Sequence, residues 1–161
     1  MDIDALLARL PRTHYIDGVW TDDETTLAVE NPATGRVLTH VADASPEVAM
    51  ASLDAAVAAQ ASWAATEPRV RGELLRAAHE RIVERADDFA TVMTLEMGKP
   101  LAEARGEVAY GAEFFRWFSE EAVRVHGRYS MAPNGASRLL TMKQPVGPTL
   151  MITPWNFPLA M

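Results

Sequence analysis

The sequence contains no cysteine among its 161 residues. This absence excludes disulfide bonds, thiolate metal sites and a cysteine nucleophile within the chain. The acidic start at Asp2-Ile3-Asp4 lacks the basic and apolar regions of a standard signal peptide. No apolar run reaches the roughly 20 residues that a membrane-spanning helix needs. We therefore expect a cytoplasmic protein without a membrane partner.

Positive charge is also scarce, with 15 Lys and Arg residues against 22 Asp and Glu residues and a net charge of −7. Because such a chain repels phosphate backbones, we expect no nucleic-acid partner. The four histidines show no metal-ligand spacing, so no metal site is predicted; they are His14, His40, His79 and His126.

The patterns that are present predict short strands first and helices afterwards. Asp17-Gly18 between apolar residues predicts a hairpin. Residues 31–35 form a second turn signal, and a strand is predicted over 37–41. Four helices should then follow in succession. The first is capped by Ser45 and carries an apolar stripe from Val48 to Trp63. The second runs through 74–83, and the third runs from Asp87 to Gly98. The fourth has an apolar face that includes Ala104, Val108, Gly111 and Phe118, and it ends at Gly127.

After the helices, the spacing of the apolar residues along the sequence changes. Residues 129–132 and 138–143 flank Pro133-Asn134-Gly135, which predicts a second hairpin. Residues 146–153 are mainly apolar and suit a buried parallel strand. Residues 154–157 would form the loop at its carboxyl end, and Pro158 would begin a helix. Because ligands bind at the carboxyl ends of parallel strands, this loop is the candidate site.

The segment Ile152-Thr153-Pro154-Trp155-Asn156-Phe157-Pro158 resembles the signature loop of the aldehyde dehydrogenases. Further segments match in the expected order, and the resemblance spans residues 15–161. These segments are Trp20, Asn31–Gly35, Glu96–Pro100 and Gln144–Pro148. The resemblance implies an α/β fold that is the N-terminal part of an aldehyde dehydrogenase, with short strands, helices, an oligomerisation hairpin and the first parallel strand of the cofactor-binding sheet.

The same resemblance implies a division of the chain. Residues 1–126 would be the N-terminal part of the NAD(P)-binding domain, and 127–145 the oligomerisation hairpin. Residues 146–161 would be the first core strand and loop of the NAD(P)-binding domain. A homo-oligomer would assemble through the 128–144 hairpin in the full-length form.

The chemistry implied is oxidation of an aldehyde to a carboxylic acid with NAD or NADP as cofactor. In this family a cysteine forms a thiohemiacetal with the aldehyde, and hydride then passes to the nicotinamide. Asn156 matches the family asparagine whose side-chain amide donates to the oxyanion. An amide suits this role because it donates a hydrogen bond without titrating. The alternative is that Asn156 caps a helix beginning at Pro158.

Thr153, Pro154 and Trp155, together with Asn156, match the loop that contacts the cofactor beside the nicotinamide ribose. The alternative for Trp155 is that it anchors the hydrophobic core. No Gly-x-Gly-x-x-Gly fingerprint occurs in the chain.

Phe157, Tyr110 and Phe114 match positions that line the substrate tunnel, although spacing alone would place the last two in a helix core. Residues 114–121 resemble the succinate-semialdehyde dehydrogenase branch. This branch implies a small aldehyde substrate with a terminal carboxylate, which an arginine would bind. The matching arginines of that branch lie beyond Met161.

The nucleophilic cysteine and general-base glutamate of the family match no position in this sequence. We therefore expect the chain to be an N-terminal fragment that is inactive alone. The alternative is a truncated, non-catalytic relative that acts as an interaction module by pairing with full-length subunits through residues 128–144. A stand-alone dinucleotide-binding protein is disfavoured because the phosphate-binding loop is absent.

Overall fold

The computed structural model of the protein describes residues 2–161, which form five α-helices and three two-stranded antiparallel sheets. The elements in chain order are α1 (Ile3–Ala8), β1 (His14–Ile16), β2 (Val19–Thr21), β3 (Thr26–Asn31), β4 (Arg36–Ala42), α2 (Pro46–Ala65), α3 (Pro68–Glu84), α4 (Ala86–Met97), α5 (Leu101–Glu121), β5 (Arg128–Met131) and β6 (Arg138–Thr141). Each sheet is a hairpin of neighbouring strands.

The three hairpins form where local turn signals predict them. Asp17 and Gly18 both have positive φ angles, 49° and 78°, as the turn of a two-residue hairpin requires. The turn between β3 and β4 is closed by the Gly35 N–H, which donates to the Asn31 carbonyl at 2.8 Å. Gly135, with a φ of 71°, turns the chain between β5 and β6. The predicted hairpins are therefore confirmed, with strand ends that differ by one or two residues.

All four predicted helices are present, and a short helix, α1, precedes them without having been predicted. The Ser45 hydroxyl accepts the Val48 N–H at 3.3 Å, which confirms the predicted cap of α2. The apolar stripe on α2 is not a core face, because no residue of α2 is buried. None of the helices among residues 2–161 is both long enough and apolar enough to cross a membrane.

The core lies between α3, α4 and α5. Ala90 and Met93 of α4 pack against Ala104 and Val108 of α5 in one buried cluster. Partly buried apolar side chains surround this cluster; they include Ile82, Phe89 and Leu159. Phe118, which was predicted to share the buried face of α5, is instead exposed. The core of the described chain is therefore small, and it is concentrated in the first half of α5.

Two further contacts fix α3 against α5. The Nδ1 atom of His79 lies 2.9 Å from the Ala112 carbonyl oxygen. Gly72 approaches α5 so closely that a Cβ atom added to it would lie 2.6 Å from the Ser119 carbonyl oxygen. A glycine is therefore required at this point by backbone packing rather than by a turn.

Two predictions near the carboxyl end are wrong. Residues 146–153 form no strand, and Pro158 begins no helix but lies in a series of turns. A strand requires neighbouring backbone groups for its hydrogen bonds, and in the described chain no strand lies beside this segment. Its apolar side chains are consequently open to solvent, with Val146 95% and Ile152 88% exposed.

The close approach at Gly72 predicts the effect of adding one methyl group. Gly72→Ala should destabilise the chain by about 1–3 kcal/mol, because the Ser119 backbone must move. Gly106→Ala is the matched control, since a Cβ atom there meets nothing within 4 Å. It should stabilise α5 by about 0.5–1 kcal/mol because alanine favours the helix more than glycine. Urea unfolding of both variants checks this, and an unchanged stability for Gly72→Ala would contradict the packing described.

The unpaired segment 146–152 predicts fast exchange of its amide hydrogens. None of its N–H groups makes a backbone hydrogen bond in the described chain, so these amides should exchange at nearly the rates of an unfolded peptide. The amides of Leu159 and Ala160 should exchange more slowly, because both donate to a buried carboxylate. Hydrogen exchange followed by NMR compares the two groups directly, and strong protection across 146–152 in the monomer would contradict the prediction.

Candidate functional site

The candidate site is built around Glu107, a carboxylate buried within α5. Glu107 shares the buried face of this helix with Ala104, Val108 and Gly111, and the residue is only 4% exposed. A charged group in such a place is unfavourable unless hydrogen bonds and an opposite charge compensate it. The partners of Glu107 therefore determine what can lie beside this part of α5.

Each oxygen of this carboxylate has its own partners. Oε2 pairs with the ammonium group of Lys99, which comes from the connection between α4 and α5. Oε1 accepts the backbone N–H groups of Leu159 at 2.9 Å and Ala160 at 3.3 Å. The buried side chain of Glu107 thus joins the connection before α5, through Lys99, to the last residues of the chain, Leu159 and Ala160.

Opposing effects act on the pKa of Glu107. Burial raises this pKa, whereas the hydrogen bonds from Lys99, Leu159 and Ala160 and the charge of Lys99 lower it. The lowering effects prevail, and the pKa lies below its usual value of 4.5. The carboxylate is therefore ionised at neutral pH, as an ion pair with Lys99 requires.

Lys99 makes two further contacts with the loop that contains the predicted site. Its ammonium group donates to the Asn156 carbonyl oxygen at 2.8 Å. The same nitrogen lies 4.4 Å from the centre of the Phe157 ring, a cation–π distance. Lys99 therefore links the carboxylate of Glu107 to the backbone of Asn156 and to the face of Phe157.

Gly111 allows the loop to approach α5. A Cβ atom at Gly111 would lie 2.6 Å from Cδ2 of Leu159 and 3.2 Å from the Ala160 Cα atom. Leu159 can consequently pack against the helical core. Glu107 supplies the polar contact and Gly111, one turn later, supplies the space.

The structure places Asn156 at the surface of this anchored loop. Its residue is exposed, and its carbonyl group is the part that Lys99 binds. The Met161 N–H donates to the Phe157 carbonyl at 3.0 Å and closes a turn, but no helix begins there. Asn156 therefore has no helix to cap in the described chain, and its side chain projects from a loop whose backbone is held.

Thr153, Pro154 and Trp155 precede Asn156 in a segment without helix or strand, and all three are exposed. Trp155 is 86% exposed, so the alternative that it anchors the hydrophobic core is wrong for the structure of this chain. An open indole and an open backbone are both accessible to a ligand at this point.

Tyr110 and Phe114 lie on the exposed side of α5, the helix that carries Glu107 and Gly111. They are 57% and 40% exposed, so the helix-core interpretation of their spacing is wrong. Their rings meet edge to face with centroids 4.9 Å apart. Tyr110 directly precedes Gly111 in sequence, so this aromatic pair begins where the loop crosses the helix. Phe157 is also exposed.

Sequence patterns alone predict no role for Glu107, and Lys99 enters them only as part of the Glu96–Pro100 motif. A signal for Glu107 was available: it lies three residues after Ala104 and four before Gly111, on an otherwise apolar face. A charge at such a position indicates a buried partner. The charged partner, Lys99, lies eight residues before Glu107, but the backbone partners Leu159 and Ala160 are 52 and 53 residues away, so spacing could not identify them.

Residues 20–161 match the family described as the aldehyde dehydrogenase family. Succinate-semialdehyde dehydrogenase from Paenarthrobacter nicotinovorans is 63% identical over 125 residues, which cover 78% of this chain and 28% of that enzyme. Glutarate-semialdehyde dehydrogenase from Pseudomonas aeruginosa is 42% identical over 149 residues, covering 91% of this chain and 31% of that protein.

A solved structure, the aldehyde dehydrogenase from Brucella melitensis biovar abortus 2308, superimposes with a TM-score of 0.89 at 45% identity. The match covers 97% of this chain and 32% of that structure. The chain thus spans about a third or less of the length of the relatives that it matches. The sequence match over residues 20–161 and the shared three-dimensional fold agree. The chain belongs to the aldehyde dehydrogenase family.

Proposed function

We propose that this chain forms the part of an NAD(P)-dependent aldehyde dehydrogenase that stabilises the oxyanion and contacts the cofactor. The observation that carries the proposal is the position of Asn156: its side chain is exposed, while its backbone is held by Lys99 and the buried Glu107. A donor that acts on a transition state must be fixed before the reaction begins, and the held backbone of Asn156 supports this role.

Asn156 would act through its side-chain amide. When a nucleophile adds to an aldehyde, the carbonyl oxygen becomes negative, and a fixed N–H group stabilises that charge. The amide remains a neutral donor throughout the pH range in which the enzyme works. The nucleophile itself must come from outside these 161 residues, because the chain contains no cysteine.

Thr153, Pro154 and Trp155 would contact the cofactor, NAD or NADP. Their exposed backbone and the open indole of Trp155 fit a planar ligand with a sugar attached. The nicotinamide, when bound, supplies the hydride acceptor that the oxidation requires. The role of these three residues is to hold that ligand beside Asn156, which is the next residue in the chain.

The substrate is proposed to be a small aldehyde with a terminal carboxylate, such as succinate semialdehyde. Both semialdehyde dehydrogenases named above support this class, and so does the resemblance of residues 114–121 to the succinate-semialdehyde branch. Phe157, Tyr110 and Phe114 would line the path of its carbon chain, because all three rings are exposed, Phe157 lies in the loop, and Tyr110 packs against Phe114 next to Gly111, which the loop approaches.

The β5–β6 hairpin supports a second role in assembly. Tyr129 and Leu140 form one pair of its register, and both side chains are exposed. Apolar residues on an open hairpin favour contact with another protein surface. We therefore propose that residues 128–144 form homo-oligomer contacts, and an interaction module that acts through the same hairpin remains the alternative function.

The first functional prediction is that the purified 161-residue chain oxidises no aldehyde. Without a thiol the covalent step cannot start. NADH or NADPH formation with succinate semialdehyde is the measurement. The matched control is a chimera in which this chain replaces the corresponding first third of the Paenarthrobacter nicotinovorans enzyme, and it should be active. Turnover by the isolated chain would contradict the proposal, as would an inactive but folded chimera.

The second prediction concerns Asn156→Ala in that chimera. Loss of one fixed oxyanion donor should lower kcat by about 10²–10³-fold, with a smaller change in the Kd of the cofactor. Asn156→Asp is the matched control, because it keeps the shape but removes the donor, and it should be equally impaired. Single-turnover kinetics and cofactor titration separate the two effects. If Asn156→Ala kept most of its kcat, Asn156 would not be the oxyanion donor.

A further inference from the structure

We propose that Lys99 and Glu107 are positioning residues for catalysis: together they fix the 156–160 loop on α5 and so set where the Asn156 amide lies. The inference rests on the proposed function for its catalytic consequence. Its structural part, the anchoring of the loop, can be tested independently. Neither residue touches the reacting atoms, so both act through Asn156.

Lys99 is linked directly to Asn156. Lys99 donates to the carbonyl of Asn156 itself, at 2.8 Å, rather than to a distant part of the loop. The other side of the same ammonium group meets Glu107, which is rigidly placed within a long helix. Only one bond therefore separates the anchored backbone group of Asn156 from its Cα atom, to which the donor side chain is attached.

Glu107 holds the backbone of the loop beyond Pro158. Because no helix begins at Pro158, the N–H groups of Leu159 and Ala160 have no helical role, yet both are partly buried residues. Both donate to Oε1 of Glu107. A buried N–H group needs an acceptor, and here one carboxylate oxygen serves both groups. These bonds fix the loop on both sides of Phe157 and Pro158.

The contacts of Lys99 and Glu107 with the loop are directional. Apolar packing alone tolerates sliding, whereas a charged hydrogen bond requires its partner at one distance and angle. Burial increases this constraint, because the carboxylate cannot exchange its partners for water. A misplacement of about 1 Å can lower a rate by about 10²-fold, so the precision of this anchor should appear in kcat.

A surface ion pair in the same region provides the contrast. Arg105 of α5 pairs with Asp87 of α4 at 2.8 Å, but both side chains are largely exposed. Exposed pairs of this kind contribute little, because water compensates for their loss. Arg105→Met is therefore a matched control for Lys99→Met: each removes one cation from an ion pair of α5, but only Lys99 touches the loop.

The test uses the active chimera described above, with kcat, KM and deuterium uptake measured on one preparation of each variant. Lys99→Met should lower kcat by about 10–100-fold. The KM for the aldehyde should change much less, because the lost stabilisation belongs to the transition state. Deuterium uptake should rise in the peptide that contains residues 156–161. Lys99→Arg keeps the charge and should retain most of the kcat, and Arg105→Met should match the parent in every measurement.

A double variant tests whether Lys99 acts through Asn156. If it does, adding Lys99→Met to Asn156→Ala should lower kcat by less than about 3-fold, because the donor to be positioned is already gone. A full multiplicative loss would overturn the inference. So would an unchanged kcat and unchanged uptake in Lys99→Met, or a loss of the same size in Arg105→Met.

If Lys99→Met does not fold, Glu107→Gln provides a second test of the same inference. The glutamine keeps one carbonyl oxygen to accept the Leu159 and Ala160 N–H groups but removes the charge that holds Lys99. It should reproduce the loss of kcat while the amides of Leu159 and Ala160 stay protected by the retained acceptor, and a parent-like kcat would overturn the inference. The two proposals fail differently: Asn156→Ala with normal kcat ends the oxyanion assignment, whereas normal loop protection in folded Lys99→Met, or a parent-like kcat in Glu107→Gln, ends the anchoring assignment.

Discussion

The burial of one negative charge, on Glu107, determines how the candidate loop packs against α5. Glu107 has 4% of its surface exposed, and its two oxygens must therefore be satisfied by protein groups. The partners available are Lys99, which follows α4, and the backbone of Leu159 and Ala160. Satisfying the carboxylate thus brings together parts of the chain that otherwise share only a small apolar cluster. The position of the candidate loop follows from this requirement.

The requirement also explains why burial is uneven near the carboxyl end. Residues 146–152 have apolar side chains but no neighbouring strand, so they remain open to solvent. A few residues later the chain is held against α5 by Glu107 and by the space at Gly111. Polar anchoring can therefore fix a short loop even where the adjacent apolar segment has nothing to pack against.

Sequence patterns predicted those elements whose causes are local. Asp17-Gly18 specifies its hairpin through positive φ angles, and Ser45 specifies the start of α2 through one side-chain hydrogen bond. The pattern failed for residues 146–153, because a parallel strand depends on other strands rather than on its own composition. It also missed the pairing of Glu107 with Leu159, which are distant in sequence. The loop motif pointed to the candidate site only through family resemblance, and the roles of its residues stay predictions.

The contacts of Lys99 have a consequence for the chemical durability of such an enzyme. Primary amines attack aldehydes and form imines, but only through a free electron pair on nitrogen. The Lys99 nitrogen is engaged as a hydrogen-bond donor to the Glu107 carboxylate and to the Asn156 carbonyl. Phe157 covers another side of it. A lysine so close to the proposed substrate path is thereby kept unreactive toward the compound that the enzyme is proposed to oxidise.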